Sequence, residues 1–191
     1  MAEWMTDPTD PAALLREWQR CYGDAPPLGR VLRVRLRSRW FRVHSLPDAK
    51  RYATTEDERG EVRRRQHALI ADVLGEGAAC WFIFGYYGEE AHLPGDVAGE
   101  LRAMAPVVLT SVGPGDAGLA ETCPLLVARV TWVPGVLDRV LEAVADDVLA
   151  SPLLVSADLR RVVAPYDGGV DVIVETPARR AELARRYGRW K

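Results

Sequence analysis

The sequence predicts an α+β fold in which helices pack on a mixed, mostly antiparallel sheet. The predicted elements show no regular alternation of strands and crossover helices, which a parallel sheet would require. The tetrapeptide Tyr166-Asp167-Gly168-Gly169 separates two short apolar stretches and is a strong hairpin signal. Three helices have clear start signals, in which an N-cap residue precedes a proline or a glutamate completes a capping box. These signals are Asp10-Pro11, Thr55 with Glu58, and Thr176-Pro177.

The composition predicts an ordinary globular protein. The chain has 191 residues, of which 48% are hydrophobic and 27% charged, with a formal net charge of −2. This charge argues against a protein that coats nucleic acid, because such binding needs a broad basic surface. We expect a single α+β domain over residues 11–191, preceded by a flexible N-terminus over residues 1–10. If a weak internal boundary exists, it lies near residues 113–121.

Compartment and membrane signals favour a cytoplasmic protein. Cys21, Cys80 and Cys123 are far apart and odd in number, so we interpret them as small buried hydrophobes instead of disulfide partners. The N-terminal segment contains acids and prolines where a signal peptide would be basic and then apolar. No stretch approaches the ~18 apolar residues of a membrane-spanning helix. A membrane partner is therefore not expected.

The segment from Arg30 to Tyr52 is the most distinctive part of the chain. Leu32, Val34 and Leu36 alternate with arginines, which is the period of a half-buried strand. After Ser38-Arg39 the apolar positions change parity, and a hairpin with its turn at these two residues accounts for that change. A continuous strand with a bulge is the alternative, because Ser-Arg is a poor turn sequence.

The rest of the chain divides into helices and short strands. From its apolar spacing, the helix after Thr55 has a buried stripe from Val62 to Leu74, with Arg63, Arg64 and Arg65 outside. The helix after Pro134 has a buried stripe that extends to Val148. The helices are predicted at residues 11–22, from 55 to before Gly75, at 96–105, from 134 to 148, and from 176 to about 187. The strands are predicted at residues 80–84, 107–112, 125–133, 153–156, 161–165 and 170–175.

Arginines in the central segment suggest binding of an anion. On the predicted hairpin one face holds Arg33, Arg35, Arg37, Arg42 and His44, and Lys50 and Arg51 follow. Arginine forks suit carboxylates and phosphates, although most surface arginines serve only solubility and pairing with acids. Asp171 interrupts an apolar strand and would need a partner if buried, for which an arginine of this face is the natural candidate.

Catalytic and metal motifs are weak. His44 precedes Ser45, but neighbouring strand residues point to opposite faces, and the chain has no nucleophile elbow. The three histidines are not spaced as metal ligands, so we expect neither a metal nor another cofactor. The glycine-rich stretch that starts at Gly113 lacks the Lys-Ser/Thr of a phosphate-binding loop.

Two segments resemble an uncharacterised bacterial family. The run Trp40-Phe-Arg-Val-His-Ser-Leu-Pro-Asp-Ala-Lys-Arg-Tyr resembles the family's W-x-R-x-HSLP-x-[SA]-KRY motif, and Pro165-Tyr-Asp-Gly-Gly-Val-Asp-Val-Ile resembles its C-terminal hairpin. The ending Arg186-Tyr-Gly-Arg-Trp is also similar. Where the family has R-H-N, this chain has Arg65-Gln66-His67. The resemblance implies a compact cytoplasmic α/β domain in which the HSLP-to-KRY segment and the hairpin meet, and it implies no reaction.

Two functional hypotheses follow. The first is a non-enzymatic binding or regulatory protein, such as an immunity-type protein that neutralises a toxin, which recognises an acidic partner through the arginine-rich hairpin. The alternative is an enzyme or sensor for a phosphorylated or carboxylated small molecule, with His44 as acid or base. A flat surface would favour a protein partner, and a pocket would favour a small ligand. The candidate binding residues are Arg33, Arg35, Arg42, His44, Lys50, Arg51, Tyr52, Tyr166 and Asp171.

Overall fold

The computed structural model describes residues 10–85, 93–113 and 121–190. The helices are α1 (Pro11–Tyr22), α2 (Gly29–Arg35), α3 (Glu56–Leu74), α4 (Gly95–Ala103), α5 (Asp138–Ala145) and α6 (Pro177–Arg186). The strands are β1 (Trp40–His44), β2 (Ala79–Gly85), β3 (Val107–Val112), β4 (Cys123–Thr131), β5 (Leu153–Ser156), β6 (Val162–Tyr166) and β7 (Gly169–Ile173). Short 3-10 turns span Pro47–Ala49 and Gly188–Trp190.

The strands form one seven-stranded sheet in the order β1-β7-β6-β5-β2-β4-β3. Every neighbouring pair is antiparallel, so the α+β prediction is confirmed. The predicted hairpin is the β6–β7 connection, where Tyr166 pairs with Gly169 across a two-residue turn. Strand β2 lies inside the sheet, as its uninterrupted apolar sequence predicts.

Helices cover both faces of the sheet. One face packs against α3, α4, α5 and α6, and its core includes Phe41, Phe82 and Val172. The opposite face packs against α1 and α2, with Trp81 and Ile173 in its core. Because side chains alternate along a strand, β1 and β7 contribute to both cores.

The helix start signals act as the sequence predicts. Asp10 caps α1 by accepting from two backbone amides, and Thr55 and Thr176 each accept from the amide three residues on. The carboxylate of Glu58, however, binds the backbone amide of Thr54 instead of that of Thr55. In the capping box of α3, the hydrogen bond to the glutamate carboxylate is therefore donated one residue before the N-cap.

The prediction of a hairpin between residues 32 and 43 is wrong, and so is the alternative of a bulged continuous strand. Residues 29–35 form α2, and only β1 is a strand. Leu28, Leu32 and Leu36 recur every four residues, which places them on one side of a helix. Leu32 is completely buried, whereas Val34 is 70% exposed. The alternation at Leu32, Val34 and Leu36 indicates a strand and the four-residue spacing indicates a helix, and packing of α2 against β7 decides between them.

Three burial predictions are also wrong. Arg65 is buried, not outside, because its guanidinium binds Glu61 and the carbonyl of His44. Val148 is exposed because α5 ends at Ala145. Cys21 is exposed, although Cys80 and Cys123 are buried.

Several predictions concern parts of the chain outside the described residues. These are the flexible N-terminus, apart from Asp10, and most of the segment of the weak boundary at 113–121. Among the helices that are described, none has the length and apolarity needed to cross a membrane.

Candidate functional site

A cleft of about 690 Å³ opens on the α2 side of the sheet. It lies between the start of α2, strand β1, the turn after β1, the residues before β5 and the β6–β7 turn. Its charged and polar lining is unusually rich in arginine. The side chains concerned are Arg30, Arg33, Arg42, His44, Arg51, Ser151, Tyr166, Asp167 and Asp171.

Strand periodicity brings the cleft residues of β1 and β7 together. Phe41 and Val43 point into the core, so Arg42 and His44 lie on the opposite face, where the cleft is. Arg42 is directly opposite Asp171 in the β1–β7 ladder. Gly169 permits this close pairing, because a Cβ atom there would lie 2.1 Å from the Val43 carbonyl oxygen.

Arg42 and Asp171 form a two-pronged ion pair at the floor of the cleft. The Nε and Nη2 atoms of Arg42 donate to the two carboxylate oxygens of Asp171, each at 2.8 Å. Trp40 Nε1 donates to the same carboxylate at 2.9 Å. Asp171 is only 5% exposed, so these bonds compensate a carboxylate that would otherwise be costly to bury. The hydrogen bonds to Asp171 raise the pKa of Arg42, which stays fully charged.

Tyr166 lies against this ion pair. The guanidinium of Arg42 is 4.4 Å from the centre of the Tyr166 ring, a cation–π contact. Burial raises the pKa of the Tyr166 phenol, and the charge of Arg42 opposes that shift. The phenol is therefore neutral at physiological pH and can donate a hydrogen bond. Its hydroxyl has no hydrogen-bond partner among the described residues.

The turn after β1 is fixed to the β6–β7 turn. Arg51 Nε donates to the carboxylate of Asp167, and the Tyr52 hydroxyl donates to the same carboxylate at 3.1 Å. Asp48 and Ala49 both have positive φ, an uncommon conformation for non-glycine residues. The HSLP-to-KRY segment and the hairpin thus meet in space, at one rim of the cleft.

Three further side chains of the cleft, those of Arg30, Arg33 and His44, make no hydrogen bond to a described residue. Across the described ranges, Arg30 and the His44 imidazole make no hydrogen bond or ion pair. Arg33 Nη1 is 3.9 Å from Asp171, beyond hydrogen-bonding distance. The lining contains four arginines against two aspartates, an excess of two positive charges when His44 is neutral. Such an arrangement attracts anions.

The cleft gathers most, but not all, of the predicted binding residues. Arg33, Arg42, His44, Arg51, Tyr166 and Asp171 line it. Arg35 does not, because it faces away and pairs with Asp24. Lys50 does not, because Glu58 and Thr54 hold its ammonium group. Tyr52 contacts Asp167 without lining the cleft.

Sequence reasoning missed three charged or polar residues of the site, Arg30, Ser151 and Asp167; no motif in the sequence indicates Ser151. Arg30 belongs to the site because α2 places it on the same side as Arg33, three residues later. In a strand, two residues three apart would point to opposite faces. Reading the arginines with a helical period would have found it. Asp167 was interpreted as a turn residue, but its carboxylate is also the buried partner of Arg51.

Comparison with known proteins adds a family assignment. The model of the family described as Domain of unknown function (DUF3885) matches residues 28–191. The chain belongs to this family. The DUF3885 region begins at Leu28, just before α2, and includes every residue that lines the cleft. Neither curated proteins nor solved structures gave a match.

Metal ligation is not a feature of the described part of the DUF3885 region. Within residues 10–85, 93–113 and 121–190, no three His, Cys, Asp or Glu side chains are grouped closely enough to hold a metal ion. The carboxylates of the cleft are both engaged with arginines. The chemistry that the arrangement offers is therefore electrostatic attraction and hydrogen-bond donation.

Proposed function

We propose that the protein binds a small anionic molecule, phosphorylated or carboxylated, in the cleft between α2 and the β1–β7–β6 end of the sheet. The observation that carries this proposal is the convergence of four arginines on one concave site with two aspartates. Asp171 neutralises Arg42, and Asp167 neutralises Arg51. The guanidinium groups of Arg30 and Arg33 face the cleft and make no hydrogen bond to an acid among the described residues; Arg33 is 3.9 Å from Asp171.

The shape of the site supports a small ligand over a flat partner. Ligand pockets are commonly about 300–1,000 Å³ and combine apolar walls with a few convergent polar groups. The cleft volume of about 690 Å³ is within that range. Leu28, Ala49 and Ala150 supply apolar wall between the charged groups.

The lining residues divide into fixed and free groups. Arg42 and Asp171 hold each other and form a rigid floor. Arg30, Arg33, His44 and the Tyr166 hydroxyl are free to contact the ligand. In the enzymatic form of this proposal His44 is the acid or base, because imidazole is the most common general acid or base in enzymes and this one has no competing partner among the described residues.

A thermal-shift screen with nucleotides, sugar phosphates and small carboxylates tests the proposal. A ligand present at about 100 times its dissociation constant should stabilise the protein by about 2.7 kcal/mol. Arg33→Met should abolish that shift, whereas Arg37→Met should retain it, since Arg37 is exposed and outside the cleft. An equal response of both variants, or no stabilisation by any anion, would reject the cleft as the site.

A protein partner with an acidic surface is the second candidate, and one observation favours it. Val34 is 70% exposed on α2 and lies between Arg33 and Arg35, with Arg37 beyond them. Arginine is enriched at interfaces, and the exposed Val34 side chain adds apolar surface for a partner to bury. A toxin that this protein neutralises would be a partner of this kind.

Capture experiments with the native host's proteins distinguish this second candidate. Val34→Asp with Arg37→Glu should abolish capture of an acidic partner without altering the cleft. Arg33→Met should leave that capture intact. If the partner still binds the Val34 and Arg37 double variant, the α2 surface is not its docking site.

A further inference from the structure

The spare positive charge of the cleft is located on a single helix. Arg30 and Arg33 are three residues apart on α2, so their side chains leave the same side of the helix. Both line the cleft. The other two cleft arginines are committed to aspartates, Arg42 by two hydrogen bonds and Arg51 by an ion pair.

Asp171 leaves Arg33 without a hydrogen bond. Its two oxygens already accept three hydrogen bonds, two from Arg42 and one from Trp40. The closest approach of Arg33 Nη1 is 3.9 Å, which gives Coulomb attraction but no hydrogen bond. All five N–H donors of the Arg33 guanidinium, and those of Arg30, are thus available for a ligand.

Resting on the function proposed above, we infer that the anionic group is a phosphate monoester in its dianionic form, held between Arg30 and Arg33. A carboxylate carries one charge and would leave one of the two guanidinium groups uncompensated. A phosphate monoester carries close to two charges at neutral pH and three terminal oxygens, which match two arginine forks. The Ser151 hydroxyl lies beside the start of α2 and is a further donor.

The remainder of the cleft takes the organic part of the ester. A phosphate group has five heavy atoms and occupies on the order of 150 Å³ if each takes the ~30 Å³ share of a liquid water molecule. The cleft is several times larger. Tyr166 and Leu28 offer contact surface for the organic group, so inorganic phosphate alone would leave most of the site unfilled.

Matched probes separate a dianion from a monoanion. Phenyl phosphate and benzoate share an aromatic ring, and phenol is their neutral counterpart. Titration calorimetry at about pH 8 keeps phenyl phosphate doubly charged, because the second phosphate pKa is about 6. We expect phenyl phosphate to bind about tenfold more tightly than benzoate, since its second charge and third terminal oxygen add a charge-assisted hydrogen bond to the guanidinium that a carboxylate leaves uncompensated.

Two double variants locate the phosphate. Arg30→Met with Arg33→Met should bring the affinities for phenyl phosphate and benzoate to within about twofold of each other. Arg35→Met with Arg37→Met removes the same charge from the same part of the chain, but outside the cleft, and should preserve the difference. Arg30, Arg35 and Arg37 are exposed and Arg33 is half-buried, so neither double variant is expected to unfold the protein.

The outcomes separate this inference from the function on which it rests. Equal affinity of the wild-type protein for phenyl phosphate and benzoate, both above phenol, would overturn the phosphate assignment and leave anion binding intact. A preference for phenyl phosphate that survives the Arg30 and Arg33 double variant would overturn the location. If neither anion binds more tightly than phenol, the proposed function falls as well.

Discussion

Replacing Asp171 by asparagine is expected to lower the free energy of unfolding by about 2–4 kcal/mol. Asparagine has nearly the same shape and keeps one oxygen for Trp40, but it has no charge. Its amide nitrogen would face a guanidinium nitrogen of Arg42, so two donors would oppose each other where a hydrogen bond of 2.8 Å existed.

The magnitude follows from the burial of both partners. Removing one member of a buried ion pair costs about 3–5 kcal/mol, because the other charge is left uncompensated. The Asp171 side chain is 7% exposed, but that of Arg42 is 30% exposed, so water recovers part of the loss. At about 2–4 °C per kcal/mol for a chain of this size, the melting temperature should fall by roughly 5–15 °C.

Urea denaturation of the wild type, Asp171→Asn, Arg42→Met and the double variant measures both the loss and the coupling energy. Asp24→Asn is the control, since it removes the exposed ion pair with Arg35 and should not measurably change stability. A loss below about 1 kcal/mol, which is typical of exposed pairs, would refute the reasoning. So would a coupling energy near zero between Asp171 and Arg42.

Two further predictions concern backbone packing and acid stability. Gly169→Ala should destabilise the protein by about 2–4 kcal/mol, because its Cβ atom would collide with the Val43 carbonyl. The Cβ atom of Gly60→Ala in α3 meets no atom within 4 Å, so this variant should be more stable than the wild type by up to about 1 kcal/mol. Thermal unfolding should therefore show a lower melting temperature for Gly169→Ala and a higher one for Gly60→Ala. Hydrogen bonds from Arg64 lower the pKa of Glu61 to about 2 from an ordinary 4.5. The stabilisation is therefore present above pH 4.5 and lost as the pH falls towards 2. The stability difference between wild type and Glu61→Gln should shrink over that window, and a constant difference would contradict it.

The C-terminal residues that resemble the family motif have a structural role. The Trp190 ring packs beneath the guanidinium of Arg65, with 5.1 Å between the guanidinium carbon and the ring centre. Arg65 in turn donates to the carbonyl of His44 at 3.0 Å. The Tyr187 hydroxyl donates to Asp72 on α3. The end of the chain thus contacts α3 directly. Through Arg65 it also supports His44 at the edge of the cleft.

The sequence by itself determined the elements whose signals are local. The caps at Asp10, Thr55 and Thr176 depend on side-chain bonds to nearby amides, so a few residues specify them. The Asp167-Gly168 turn is similarly local and fixes the register of β6 and β7. The α+β class followed from the order of these elements.

Only the tertiary structure decided the conformation of residues 29–35. Leu32, Val34 and Leu36 satisfy a strand period, whereas Leu28, Leu32 and Leu36 satisfy a helix period, so the choice depends on what packs against them. In the fold, β1 occupies the edge position beside β7, and α2 covers the sheet face next to it. That packing exposes Val34 and buries Leu32.

The same packing decided the composition of the site. The sequence indicated that Asp171, if buried, would need a partner, and several arginines were candidates. Ladder register placed Arg42 directly across from it, which left Arg33 without a hydrogen bond and, with Arg30, free to contact a ligand. Charge pairing between residues more than a hundred positions apart is set by strand order, which is a property of the whole fold and not of any local segment.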